Sequence, residues 1–310
     1  MNANPLAPCL LCPRACGVDR TQKPGLCGMG ANLRVALAQL HVGEEPCLSG
    51  TTPLEAGEAR GSGTIFFSGC SLRCVYCQNH DISMGGPEGA GLGHELSVDD
   101  LTAMMLELEL AGAHNVNLVT PTHFTPLVRQ ALIQARANGL TIPVVWNSSA
   151  YETVETLRTL DGLVDIYLPD LRYMDAAAAA RYSGAPDYPE VACAAIQEMH
   201  RQVGRLVVEK GLARRGLIIR LLVLPGNLGR TDLALDWIAA NLGTGTAISL
   251  MGQYYPAHRA HEFPEIDRCL KPIEYASLRR HMEKLGFENG FVQRVGSSAA
   301  FTPDFRQDRD

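Results

Sequence analysis

Short apolar runs rich in β-prone residues alternate with helix-patterned segments along most of the chain from Thr64 onward. Six runs are each followed by a segment whose apolar residues recur at helical spacing. The predicted strands cover residues 65–67, 116–119, 143–146, 164–168, 217–224 and 247–251. The predicted helices cover residues 97–111, 125–138, 151–160, 189–203, 231–241 and 272–285. Six βα repeats imply a parallel sheet covered by helices, either an open doubly wound sheet or a partial barrel.

Local signals mark the ends of two of these helices. Ser97 and Asp100 have the spacing of a capping box. Thr125 is the predicted cap of the next helix, Pro126 lies in its first turn, and Gly139 follows its end. Ahead of the repeats, residues 31–63 are predicted to form a connector of one or two strands with loops.

Composition describes an ordinary globular protein. Of the 310 residues, 46% are hydrophobic and 19% charged, and the length allows one large domain or two. The net charge of −6 contains no block of like charge, which argues against a nucleic-acid partner. Residues 1–8 lack the features of a secretory signal, and no apolar run is long enough to span a membrane. We therefore expect a cytoplasmic protein without a membrane partner.

Ten cysteines in a cytoplasmic chain indicate metal binding rather than disulfides. Seven of them lie in two groups, and the other three (Cys47, Cys193 and Cys269) are interpreted as packing or incidental cysteines.

The first group comprises Cys9, Cys12, Cys16 and Cys27 around Gly and Pro residues, with too little apolar content for a core of its own. Four thiolates would close a metal site and supply folding energy. Zinc and an iron–sulfur cluster both fit. The sequence slightly favours zinc, because nothing nearby along the chain suggests a redox partner. Four unliganded thiols are the alternative.

The second group, Cys70, Cys74 and Cys77, has a C-x3-C-x2-C spacing and directly follows the first predicted strand. Thiolates select zinc or iron–sulfur clusters. Three ligands leave one coordination position open, as in catalytic metal sites. A structural zinc site with His80 or a distant residue as fourth ligand is the alternative.

This loop resembles the signature loop of the radical S-adenosylmethionine (SAM) enzymes. In that family three cysteines hold a four-iron, four-sulfur (4Fe–4S) cluster, whose fourth iron binds the amino and carboxylate groups of SAM. Tyr76 takes the place of an aromatic residue near the adenine. The resemblance implies an α/β fold with a partial (β/α)6 barrel over residues 64–310, ending in a helix and tail. Residues 1–63 would be a cysteine-rich extension and connector.

In such a barrel the residues that follow each strand would face the active site. Thr120 and Thr122 stand where the family often has a Gly-Gly-Glu motif for the SAM amino group. His123 is either an acid–base residue or, more commonly at a helix entry, structural. Asn147 and Ser149 suit the ribose hydroxyls or the SAM carboxylate, or else cap the next helix.

The later strand ends add four residues. Asp170 and Arg172 resemble the Asp-Leu-Lys motif of pyruvate formate-lyase activating enzymes, with arginine replacing lysine. Arg220, inside an apolar strand, is predicted to bind an anion such as the SAM carboxylate, or to form a buried ion pair with Asp170 or another acid. Gln253 is predicted to face the open end, where substrate would lie.

Nearly the whole chain, through about Tyr255, is most similar to uncharacterised iron–sulfur proteins homologous to pyruvate formate-lyase activating enzyme. The matching segments are Leu11-Cys12-Pro13-Arg14, Glu44-Glu45-Pro46, residues 61–79, Leu168-Pro169-Asp170, Leu224-Pro225-Gly226 and Leu250-Met251. The resemblance implies an oxidoreductase of oxygen-sensitive, anaerobic chemistry that cleaves SAM to methionine and a 5′-deoxyadenosyl radical. Its partners would be a flavodoxin- or ferredoxin-type electron donor and a protein or peptide substrate.

The radical acceptor is left open by the sequence. The resemblance suggests the glycine of a glycyl-radical enzyme, whereas another peptide or a small metabolite would fit the same chemistry. A non-catalytic zinc or iron–sulfur binding module is the alternative from a different class. It would explain both cysteine groups but not six βα units with polar strand ends.

Overall fold

A largely parallel sheet forms the centre of the protein in a computed structural model, which describes residues 6–50, 61–84, 92–293 and Phe305. Part of the predicted connector (51–60) and most of the predicted tail lie outside the described residues. The described strands are β1 (Leu33–His41), β2 (Gly61–Phe67), β3 (His94–Leu96), β4 (Ala113–Val119), β5 (Val144–Ser148), β6 (Ile166–Pro169), β7 (Val207–Glu209), β8 (Leu212–Leu222), β9 (Ala247–Met251) and β10 (Gly290–Val292).

Helices follow most of the parallel strands. The described α-helices are α1 (Pro46–Ser49), α2 (His80–Ser83), α3 (Val98–Leu110), α4 (Thr125–Ala137), α5 (Val154–Arg158), α6 (Ala176–Ser183), α7 (Tyr188–Val203), α8 (Thr231–Asn241) and α9 (Pro272–Leu285). Ser97 and Asp100 form the predicted capping box of α3. Thr125 is the first residue of α4 rather than its cap, because a short 3-10 turn, Thr122–Phe124, precedes it. No described helix is long and apolar enough to cross a membrane.

The strand order confirms a (β/α)6 partial barrel. The six predicted strands are β2, β4, β5, β6, β8 and β9, and each pairs with the next in parallel. β10 adds a parallel strand beside β9, and β1 pairs antiparallel with β2 and with β3 at the other edge. Since the order runs from β10 to β3, the sheet formed by the described strands is not closed.

The two faces of this sheet are covered differently. Trp146, Ile219 and Leu250 on the outer face belong to the main core beneath the helices. Val145, Ile218 and other residues on the inner face pack instead against Cys47 and Leu48 of α1. Alternating side chains along a strand point to opposite faces, which explains this division.

The connector therefore enters the barrel. Leu48 is completely buried on the inner face, and its carbonyl oxygen accepts a hydrogen bond from Asn115 Nδ2 at 2.9 Å. The sequence pattern of the connector predicts only one or two strands and loops leading to the barrel. Helix α1 was missed because four residues are too few for a helical period.

We expect Leu48→Ala to lower the free energy of unfolding by about 2–5 kcal/mol, because it removes a buried side chain and leaves a cavity. Leu110→Ala, at the 87% exposed end of α3, should change it by less than about 0.5 kcal/mol. Chemical denaturation of both variants measures the difference. Equal free energies of unfolding in the two variants would contradict the conclusion that Leu48 of α1 packs into the core on the inner face of the sheet.

Candidate active site

A cavity of about 600 Å³ lies on the inner side of the sheet, toward the carboxyl ends of the parallel strands. All three cysteines of the second group lie on its wall, as do eight of the nine residues predicted to contact SAM or substrate. They are Cys70, Cys74, Cys77, Tyr76, Thr120, Asn147, Ser149, Asp170, Arg172, Arg220 and Gln253. A site at these strand ends is typical of α/β barrels.

The cysteine loop begins at a glycine that no other residue could replace without movement of its neighbours. Gly69 has φ +82°, and a Cβ there would lie 2.4 Å from Met29 Cγ and 2.8 Å from the Cys27 carbonyl oxygen. The next residue, Cys70, donates its backbone N–H to that carbonyl at 3.2 Å. The loop therefore lies directly against the N-terminal segment.

The thiols of this loop lie in a largely buried setting. Burial raises the pKa of Cys77 to about 12 and also raises the pKa of Cys74. Cys77 Sγ lies 3.1 Å from Ser83 Oγ, and Leu72 N–H donates to Cys70 Sγ at 3.4 Å. A bound cation would be needed to stabilise the thiolates at neutral pH, and binding it would release protons.

Tyr76 packs within a cluster of tyrosines. Its ring meets those of Tyr173, Tyr182 and Tyr254 edge-on, with centroids 6.3, 6.5 and 5.8 Å away. Such edge-to-face contacts are favourable for aromatic rings. These contacts hold Tyr76 rigidly on the cavity wall.

One hydroxyl group links the loops that follow β5 and β6. Tyr188 Oη lies 2.9 Å from the Ser149 carbonyl oxygen and 2.7 Å from that of Asp170, and it accepts the Arg172 N–H at 2.9 Å. The Arg172 guanidinium pairs with the Asp170 carboxylate at 2.6 Å. Tyr188, which was missed by the sequence analysis, therefore fixes three predicted contact residues relative to each other.

Thr120 occupies the matching position after β4. It has φ +59°, a conformation that is rare for a β-branched residue, and its N–H donates to the Asn147 carbonyl oxygen at 2.8 Å. Backbone outliers of this kind occur most often at functional sites.

The structure contradicts the predicted SAM contact at Thr122. Its side chain is buried away from the cavity, where its hydroxyl donates to Glu152 Oε1 at 3.0 Å. Trp146 Nε1 and Ser148 Oγ also donate to that carboxylate. The hydroxyl is therefore committed to a buried network, and Thr122 is not available to a ligand.

The structure contradicts the prediction that Arg220 binds an anion such as the SAM carboxylate. Arg220 instead forms a buried ion pair, which was the alternative. Its guanidinium donates to both carboxylate oxygens of Glu45, at 2.8 and 2.6 Å, and also to Glu44 Oε2. Burial opposes ionisation of Glu45, but Arg220 holds the pKa of its carboxyl below the usual value. Both acids come from the connector, where the sequence analysis recognised them only as part of a matching segment.

His123 is structural. It is 2% exposed, and its Nε2 lies 2.7 Å from the Ser68 carbonyl oxygen. Because a carbonyl only accepts, Nε2 carries the hydrogen. Burial, together with the nearby charge of Arg20, lowers the pKa of His123 to about 3.

The four cysteines of the first group lie near one another beside the second group. A Cβ on Gly25 would lie 3.4 Å from Cys27 Sγ and 3.5 Å from Cys16 Sγ. Burial raises the pKa of Cys12 to about 12, and Cys9 is also buried. Across the described ranges, no three His, Cys, Asp or Glu side chains are arranged to hold one metal ion. Zinc or a cluster at this group stays a prediction.

Unpartnered polar atoms show that the cavity suits a polar ligand. Four buried atoms on its wall have no hydrogen-bond partner among the described residues. They are Tyr76 Oη, Arg172 Nε, Ser249 Oγ and Gln293 Oε1. Buried polar groups are rarely left in this state unless a ligand or water completes them.

We expect the free energy of unfolding to fall by about 2 kcal/mol between about pH 6.5 and pH 5, owing to His123. The unfolded chain binds a proton at His123 below about pH 6.5, whereas the folded chain does so only near about pH 3. The stability is thus complete above the unfolded pKa and is lost as the pH falls.

His123→Gln keeps an amide donor for the Ser68 carbonyl oxygen and should flatten the dependence of the free energy of unfolding on pH. His261→Gln, at an exposed position, should leave that dependence unchanged. Denaturant titrations at several pH values measure it. A His123→Gln variant with the wild-type slope would contradict the assignment.

A sequence profile of the radical SAM superfamily matches residues 64–209. A protein of Methanocaldococcus jannaschii, "Uncharacterized protein MJ0674", is 32% identical over 284 residues, which cover 90% of this chain and 75% of that protein. These matches do not test the finer resemblance to pyruvate formate-lyase activating enzymes, which stays a prediction.

Two solved structures are also similar. HydG, a maturase of the FeFe hydrogenase, aligns with a TM-score of 0.49 at 14% identity, over 77% of this chain and 51% of HydG. The chain thus spans about half the length of HydG. Methylornithine synthase (PylB) aligns with a TM-score of 0.46 at 14% identity, over 78% of this chain and 73% of PylB. The profile match begins in the strand that leads into residues 70–77, and the chain belongs to the radical SAM superfamily.

Proposed function

We propose that this protein binds a 4Fe–4S cluster through Cys70, Cys74 and Cys77 and cleaves SAM reductively. The observation that carries the proposal is the position of these three thiols on the wall of a cavity with unpartnered polar atoms. In a 4Fe–4S cluster each cysteine binds a different iron, so the sulfurs do not converge on one point. The lack of a single-ion arrangement among the described cysteines is compatible with that ligand set.

When bound, the cluster would supply one electron for cleavage of SAM to methionine and a 5′-deoxyadenosyl radical, and the radical would take a hydrogen atom from the substrate to give 5′-deoxyadenosine. The protein would bind and orient SAM. Tyr76 would lie near the adenine, and Asn147 and Ser149 near the ribose or carboxylate. Thr120, Asp170, Arg172 and Gln253 supply further hydroxyl, carboxylate, guanidinium and amide groups on the same wall.

The first cysteine group is proposed to hold a second iron–sulfur cluster rather than zinc. The feature that supports this choice is the hydrogen bond from the backbone N–H of Cys70 to the Cys27 carbonyl oxygen, which places the two cysteine groups side by side. The redox partner that was not visible along the sequence would thus be adjacent in space.

For the acceptor of the radical, we propose only that it is a substrate with a hydrogen atom that the radical can abstract. A glycyl radical on a partner enzyme, with a flavodoxin- or ferredoxin-type donor, stays a prediction from the resemblance. Modification of another peptide or a small metabolite is the alternative. Formation of 5′-deoxyadenosine with and without each candidate acceptor distinguishes them.

We expect Cys74→Ala to abolish 5′-deoxyadenosine formation after anaerobic reconstitution with iron and sulfide and addition of SAM and dithionite. The exposed Cys269→Ala should retain it. Chromatography of the products measures both. Absence of 5′-deoxyadenosine from the wild type, with only zinc bound and no iron–sulfur absorbance, would instead favour a non-catalytic binding module.

Two clusters would give about eight irons per chain after reconstitution, and Cys16→Ser should lower this to about four. Cys193→Ser, at a cysteine outside both groups, should leave it unchanged. Metal analysis of the purified variants measures iron and zinc. About four irons with one zinc in the wild type would overturn the second-cluster proposal in favour of zinc, and neither metal at the first group would leave four free thiols.

A further inference from the structure

The inner end of the cavity carries an unbalanced charge. Glu44 and Glu45 share one guanidinium, that of Arg220, and their side chains are only 8% and 4% exposed. Both oxygens of Glu45 are bonded to Arg220, whereas Glu44 Oε1 accepts only a neutral amide donor, Asn117 Nδ2, at 2.9 Å among the described residues. Two carboxylates and one guanidinium leave one negative charge in a nearly buried position, which is costly without a further cation.

Beside this charge lie two oxygen atoms that can accept a hydrogen bond but have no donor among the described residues. Asn117 is fully buried and its amide nitrogen is used by Glu44, but its Oδ1 has no described hydrogen-bond partner. Ser249 is 1% exposed, pairs with Arg220 in the sheet register, and its Oγ on the cavity wall also lacks a described partner. On the cavity wall the inner end therefore presents the Glu44 carboxylate and the Ser249 hydroxyl oxygen, whereas Asn117 is buried beside Glu44 and is not on the wall.

The other arginines and the aspartate on the cavity wall do not balance this charge, and His41, which also lies on the wall, meets the Phe66 ring edge-on. Asp170 and Arg172 form their own pair at 2.6 Å, nearer the ends of the strands. Arg73 belongs to the cysteine loop, next to Cys74. The deficit of positive charge is thus confined to the end of the cavity formed by the connector and β8.

We propose that this inner end binds the primary ammonium group of the molecule that receives the radical. The proposal rests on the proposed function, since it places a second ligand beside SAM in the same cavity. An ammonium group has N–H donors, no acceptor and a compact charge, which matches a carboxylate beside an uncharged hydroxyl acceptor on the cavity wall. A guanidinium is the poorer match, because its planar fork requires paired acceptors.

The test is a calorimetric titration of the anaerobically reconstituted protein, saturated with SAM and kept without reductant so that no turnover occurs. The probes are n-pentylamine, 1-pentanol and pentanoate. We expect only n-pentylamine to bind measurably. Glu44→Gln should weaken that binding about tenfold or more, since it removes a charge-assisted hydrogen bond. Glu155→Gln removes the same charge at an exposed position and should leave the affinity for n-pentylamine unaltered.

Ser249→Ala provides a second variant that leaves the Arg220 pairs in place. It should weaken n-pentylamine binding by about two- to tenfold through loss of one neutral acceptor. Equal binding of pentanol, or unchanged amine affinity in both variants, would overturn the proposal. So would a Glu44→Gln variant that loses affinity for SAM itself but not for the amine.

This experiment is independent of SAM cleavage. If 5′-deoxyadenosine forms on reduction but no amine binds, the ammonium site is wrong and the proposed function stands. If the amine binds in a Glu44-dependent way but no 5′-deoxyadenosine forms, the proposed function fails, and the inner end is an ammonium site for a molecule that receives no radical.

Discussion

The ion pairs between Arg220 and the two connector glutamates join parts of the chain that are 175 residues apart in sequence. A guanidinium on the inner face of the sheet would be destabilising without a counter-charge. Glu44 and Glu45 supply it, and Pro46 begins α1 directly after them. The same contact therefore places Leu48 in the barrel and closes the inner end of the cavity.

A second set of contacts joins the two cysteine groups. Gly69 allows the loop to pass against Met29 and Cys27 at distances that a side chain would prevent. Arg14, between two cysteines of the first group, donates to the carbonyl oxygens of Ser71 and Leu72 in the second, at 2.9 and 3.1 Å. The N-terminal cysteine-rich segment thus packs against the backbone of the loop that carries Cys70, Cys74 and Cys77. A change at either group would alter the backbone that holds the other.

Most of the barrel could be predicted from local pattern. The helices predicted at 231–241 and 272–285 match α8 and α9 at both ends, and the strand at 247–251 matches β9. Helix α9 also has end signals in the sequence, with Pro272 in its first turn and Gly286 directly after it. The prediction at 151–160 was too long, because the helix there covers only Val154–Arg158. β10, at three residues, is too short to give a strand period.

The strand-end residues of the cavity were predicted because parallel strands bring their carboxyl ends to one edge, whatever the packing. The cysteine spacing likewise indicated its chemistry without a structure. Tertiary contacts alone decided which polar groups remained available: Thr122 is bound to Glu152, Arg220 to Glu44 and Glu45, and Tyr188 links the loops at Ser149 and Asp170. Local sequence determines which groups a strand or loop carries. The partner that occupies a buried polar group comes from a distant segment, and only the folded chain brings the two together.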